Sequence, residues 1–209
     1  MNKFPIIQGG IVVSIICEGP EEYDYLYRLN QLSVWNSQYK VELTNAKGNG
    51  AIPARYQDKY QIGDSDIVLV FCDTDKKPYE QYRDIKRKID VFHGIDGVSN
   101  ELVIFGNPCT MQIIIQHWSE EMLKSPSKHS NAHIIERHTG IKNYDAHEKQ
   151  RAEMMKLVNA ENYHAMVERV SHLSKNDEIL NSSNFDVLMK RLENEDTEWI
   201  RVINDMLEN

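Results

Sequence analysis

Two short β-branched runs constrain the fold of this 209-residue chain more than any other feature. Ile11-Val12-Val13-Ser14-Ile15-Ile16 and Ile67-Val68-Leu69-Val70-Phe71 are almost continuously apolar and far too short to cross a bilayer. Runs of this kind belong in a parallel sheet covered on both faces. Strands are expected at residues 11–17, 39–43, 66–72 and 101–105. Helices are expected at 20–32, 78–92 and 110–123. The first has Pro20 in its opening turn, and Glu21 and Glu22 at its positive dipole end. Gly48, Asn49, Gly50 and Pro53 mark a loop. Strands and helices alternating at these lengths predict an α/β fold: an open, mostly parallel sheet with helices on both faces.

Beyond this core, residues 1–123, the pattern changes. Residues 124–143 are polar and His-rich and are read as a mobile loop or boundary. From there to residue 209 the sequence is helical, with apolar stripes formed by Met154, Met155, Leu157 and Val158, then by Phe185, Leu188, Leu192, Trp199, Ile203 and Leu207. Such stripes pack on the core or on a second copy of the chain, which leaves a homo-oligomer open.

With 41% hydrophobic and 27% charged residues, the chain is globular and not disordered. The opening MNKFPIIQGG has no apolar core for a signal peptide, so none is expected. Three cysteines without paired spacing argue against a disulfide framework, and a cytoplasmic setting with no membrane attachment is expected. The net charge of −8 disfavours a protein that wraps duplex DNA with its whole surface. The imbalance is local, however. Residues 175–209 carry nine acidic residues against four basic, whereas 76–90 carry six basic against three acidic.

Both strong runs end in acids. Glu18 follows the first, and Asp73 and Asp75 follow the second. Strand C-termini of a parallel sheet share one edge, where ligands bind. Three carboxylates gathered there repel one another unless protons or a cation intervene, and their hard oxygens select Mg²⁺ or Mn²⁺. Each acid also has a plainer reading: Glu18 as the start of a helix, and Asp-x-Asp as a cap and turn. Glu22, one helical turn from Glu18, is an auxiliary ligand or a solvated first-turn acid. Lys76 and Lys77 lie beside the proposed metal. Arg83 and Arg87, four apart on one helix face, suit a nucleic-acid backbone or simply solvent. Asn107 either positions phosphate or caps a helix before Pro108. His129, His133 and His138 lack the companions of a zinc site. Cys17, Cys72 and Cys109 read as small apolar packing residues. With no P-loop in the sequence, an energy-driven step needs a partner ATPase.

Cys17-Glu18-Gly19-Pro20-Glu21-Glu22-Tyr23-Asp24-Tyr25 resembles the opening motif of RloB-like proteins of the Toprim superfamily, a strand followed by Cys-Glu-Gly and then Thr-Glu and Tyr. Here one residue is deleted and Glu21 replaces the Thr. Phe71-Cys72-Asp73-Thr74-Asp75 resembles that superfamily's strand ending in Asp-x-Asp. Asn107-Pro108-Cys109 with His117-Trp118 is similar to a third block, Asn-Pro-Cys-Phe-Glu and then His-Phe. Residues 181–192 loosely echo the C-terminal helix of the group. One departure stands out: Met111 occupies the position of the third-block Glu, and Ile113 that of a following aromatic. The resemblance implies a Toprim-like core in which Asp73 and Asp75 hold Mg²⁺ (or Mn²⁺). Glu18 would be general base, general acid or a further ligand, and Asn107 and His117, in the third block, would contact substrate; the basic residues Lys76, Arg83 and Arg87, read from the charge pattern, fit the same role. It also implies a metal-dependent nuclease, a hydrolase acting on DNA or RNA in bacterial or phage defence. Nucleotidyl transfer, and a non-catalytic subunit that binds nucleic acid or a partner, remain alternatives.

Overall fold

A computed structural model of the chain describes residues 10–208. The opening residues 1–9, which bear on the signal-peptide expectation, and Asn209 lie outside the described residues.

The chain opens with β1 (Ile11–Cys17), α1 (Pro20–Gln31) and β2 (Tyr39–Asn45). Next come α2 (Ile52–Ile62), β3 (Ile67–Asp73), α3 (Glu80–His93), a short α4 (Ser99–Leu102) and β4 (Val103–Gly106). The remainder is helical: α5 (Met111–Ile114), α6 (Lys128–Thr139), α7 (Glu148–Leu157), α8 (Ala160–Ser171), α9 (Phe185–Glu193) and α10 (Glu198–Leu207). The four strands form one all-parallel sheet in the order β2-β1-β3-β4. Every residue of β3 is buried, as its unbroken apolar run requires.

Helices cover both faces. Phe71 of β3 packs on Phe185 of α9, ring centroids 5.2 Å apart, and Tyr25 of α1 meets the same Phe185 at 5.6 Å. The next residue along β3, Cys72, pairs with Phe105, which packs on Tyr82 of α3 at 6.0 Å. Successive strand residues point to opposite faces, so α1 and α9 lie on one side and α3 on the other. Apolar residues of α8 and α9, among them Tyr163, Met166, Phe185 and Leu188, join the sheet residues in one buried cluster. The C-terminal segment also protects the outer edge of β4. Ser183 forms an antiparallel bridge with Gly106, and Asn184 accepts from the Phe105 N–H at 2.8 Å and donates to the Val103 carbonyl at 2.9 Å.

Several local expectations need correction. The stretch read as a loop around Gly48–Pro53 becomes a 3₁₀ turn and then α2, with Pro53 in the first turn, where a missing N–H costs nothing. The strand expected from residue 101 starts at Val103, after the short α4. The helix expected over 110–123 stops as α5 and a 3₁₀ turn ending at His117. Beyond it, Gln112 accepts from the Leu123 N–H at 2.8 Å and Gln116 donates to the Glu121 carbonyl at 3.3 Å, so side chains replace helical hydrogen bonds. The supposed loop at 124–143 contains α6, capped by Ser127 at its start and by Gly140 (φ 75°) at its end, with Ile134 and Ile135 buried beneath it.

Candidate functional site

The strand order fixes where chemistry can occur. From β1 the chain moves outward to β2, then crosses back to β3 and β4 on the other side. The gap between the C-terminal ends of β1 and β3 is therefore a topological switch point, the place where open α/β sheets leave a crevice. Glu18 follows β1, and Asp73 ends the adjacent β3.

The structure ties these two residues together: Glu18 Oε2 accepts the backbone N–H of Asp73 at 2.9 Å. Asp73 Oδ1 in turn accepts from both the N–H and the hydroxyl of Thr110, at 2.6 and 2.8 Å. Gly106 makes that contact reachable. A Cβ at Gly106 would lie 3.0 Å from the Cys109 backbone, so a larger residue would push the 107–110 turn outward by a few tenths of an ångström from the end of β4.

The start of α1 adds two more buried acids, Glu21 and Glu22. Glu22 Oε2 accepts the Gly19 N–H at 2.9 Å, half of a capping box, and Glu21 Oε1 accepts from the Tyr144 hydroxyl at 2.6 Å. Burial, then the neighbouring Glu22, Glu18 and Glu21, hold the Asp73 carboxyl well above the usual carboxylate range. Burial and Glu21 push Glu22 up to about 7. These acids favour a proton or a cation over full ionisation.

Asp75 is placed differently. β3 ends at Asp73, and Asp75 sits two residues on with φ 60°, in the left-handed region. The alternation of side chains along a strand therefore does not extend to it. Its carboxylate accepts from Asn49 Nδ2 at 3.2 Å, and the same amide donates to Gln81 at 3.0 Å. Among the described residues, no group of three or more His, Cys, Asp or Glu side chains is arranged to hold a metal ion.

The expected substrate contacts divide in two. Lys76 and Lys77 are exposed on the loop after β3. Arg83 and Arg87 line one groove on the outer face of α3, Arg83 paired with Glu178 at 2.6 Å and Arg87 with Asp84 at 2.5 Å. Asn107 and His117 are instead buried and committed to the fold. The Asn107 amide donates to the Tyr79 hydroxyl at 3.2 Å and the Asp177 carbonyl at 2.8 Å. His117 Nδ1–H is assigned to Asn162 Oδ1 at 2.7 Å, which leaves Nε2 to accept from the Tyr25 hydroxyl at 2.9 Å. Burial lowers its pKa to about 4, so it stays neutral. Neither residue is positioned to meet a phosphate. Met111, at the position of the third-block Glu, is buried as well. Cys17, Cys72 and Cys109 are buried and not disulfide-bonded.

Compared with protein families, curated proteins and solved structures, the chain matches none. What the site can do therefore rests on its own chemistry. Four residues not expected at the site take part in it: Glu21, Thr110, Tyr144 and Asn49. Glu21 stands inside the opening motif, where it was read only as a first-turn acid and as the replacement of the Thr, and Thr110 follows the third block directly. Tyr144 and Asn49 lie far along the chain from the acids they bind and carry no local signal.

Proposed function

We propose that this chain is a Toprim-type, RloB-like nuclease that cleaves a phosphodiester bond of DNA or RNA with Mg²⁺ or Mn²⁺ held at Glu18, Asp73 and Asp75, in a bacterial or phage defence setting. The observation that carries this reading is the pairing of Glu18 with Asp73 at the switch point, inside a set of buried acids. Glu18 and Asp73 offer the carboxylate oxygens that a hard divalent cation selects, although among the described residues no three such side chains are arranged around one point and Asp75 would have to turn toward them. Such an ion would supply Lewis acidity and neutralise charge on the phosphate.

This chain's own residues then have distinct tasks. The Asp73 N–H orients the Glu18 carboxylate, which takes or returns a proton at the attacking or leaving oxygen. Thr110 fixes the Asp73 carboxylate through two hydrogen bonds. Lys76 and Lys77 offset the acidic charge and draw a phosphate backbone toward Asp75. A second reading, a non-catalytic binding module, is favoured by the buried Met111 and by the hydrogen bonds that already occupy Glu18 and Asp73.

Incubating the purified chain with labelled single- and double-stranded DNA and RNA, with Mg²⁺ or Mn²⁺, decides between them. Metal-dependent cleavage that disappears in Asp73→Asn supports the nuclease. Binding without cleavage of any of the four substrates supports the module.

A further inference from the structure

A cleft of ≈ 480 Å³ opens beside Asp75, between the loop that follows β3 and residues 126–127. We infer that this cleft seats one nucleotide of the bound strand, its base between the proline walls and its phosphate toward the lysines. The inference rests on the phosphodiester reading and adds to it a substrate subsite.

Size comes first. A space of several hundred Å³ suits a nucleotide-sized group and is far larger than an ion or a lone phosphate needs. The walls are of two kinds. Pro78, Pro126 and the side of Tyr79 offer apolar surface for a base, while Lys76 and Lys77 bring two ammonium groups. Asp75 and Glu80 balance that charge, so the lining suits the single phosphate of one nucleotide, with the rest of the strand's charge lying outside the cleft.

Thr74, which also lines the cleft, is 1% exposed, and its hydroxyl has no hydrogen-bond partner. The loop is also held in a set conformation. Asp75 (φ 60°) and Tyr79 (φ 61°) are both left-handed without being glycine, and Lys77 Nζ lies 6.0 Å from the centroid of the Tyr79 ring.

The test uses the full chain without divalent ions, titrated with AMP, UMP, ribose 5-phosphate and inorganic phosphate by calorimetry. AMP or UMP should bind about tenfold or more tightly than inorganic phosphate. Lys76→Ala with Lys77→Ala should weaken nucleotide binding about tenfold. Pro126→Glu should abolish the preference for nucleotide over phosphate, with melting curves confirming that each variant is folded. A short 5′-labelled oligonucleotide should lose affinity in the same variants. Nucleotides that bind no more tightly than phosphate, or variants that bind like the wild type, overturn the subsite. So does loss of AMP binding with oligonucleotide binding unchanged. Because these titrations are metal-free, nucleotide binding by a protein with no metal response upholds the cleft and removes only the cleavage reading.

Discussion

One strand carries an aspartate at each end, and the two differ in almost everything but residue type. Asp66, just before β3, is exposed; its Oδ2 accepts the Val12 N–H at 2.7 Å, and its own N–H returns a bond to the Val12 carbonyl at 2.9 Å. Asn204 of α10 donates to its carbonyl at 2.9 Å. It is a hydrated anchor that sets the register of β1 against β3. Asp73, at the other end of β3, is buried beside Glu18, Glu21 and Glu22, and its charge is disfavoured by burial and by theirs. An acid at a strand end is therefore not in itself a functional signal. Crowding of acids in a place that water cannot hydrate is the distinguishing feature.

The largest expected difference between the two ends is catalytic. Glu18→Gln or Asp73→Asn should lower metal-dependent cleavage by about 10³-fold or more, measured as the initial rate on a labelled oligonucleotide. Asp66→Asn should stay within about threefold of the wild-type rate, since a change that small is ordinary for a site away from the chemistry. Equal losses at both ends would erase the distinction.

Next in size is the support beneath the acidic end. Phe185 of α9 packs against both Phe71 and Tyr25 and is fully buried. Phe185→Ala should destabilise the protein by about 3–5 kcal/mol in urea unfolding. Val202, 40% exposed on α10, should tolerate alanine within about 0.5 kcal/mol.

The pH dependence comes third. Glu22 is raised from 4.5 to about 7, so the folded state binds its proton more tightly than the unfolded chain does. That contribution is complete below pH about 4.5 and is lost as pH rises through about 7, and the raised Asp73 acts in the same direction. The metal-free protein should lose up to about 3 kcal/mol from this source between those limits. Glu22→Gln should flatten that part of the stability–pH profile, while Asp66→Asn should leave it in place. The smallest effect is local. Asp66→Ala removes one hydrogen bond at the exposed end and should cost about 1 kcal/mol.

How much of this was legible in the sequence follows from the range of the interactions. The buried strands were legible because an apolar β-branched run reports burial on both faces directly, and β1 was expected with the bounds observed. The 110–123 segment was misread as one helix because its first half, 110–117, is apolar and buried, whereas the helix ends at His117 and the rest is held by side-chain bonds from Gln112 and Gln116 that local pattern does not show. α6 was missed because its apolar contribution is small, although Ser127 and Gly140 were visible as caps. At the site, Glu18 and Asp73 could be placed together from strand ends alone. The αL turn that sends Asp75 toward Asn49, and the burial that removes Asn107 and His117 from solvent, depend on tertiary contacts that local pattern does not record.

The central claim, that the crowded acids at the end of β3 hold a divalent cation, is tested most directly by thermal melting with and without Mg²⁺ or Mn²⁺. Wild-type protein should melt at a higher temperature as the ion is added, because the ion binds the folded state. Asp73→Asn with Asp75→Asn should show no such rise, and should melt no lower than the wild type in the absence of metal, since the change removes repelling charge. A wild-type melting temperature indifferent to the ion, or an equal rise in the double variant, would contradict the account.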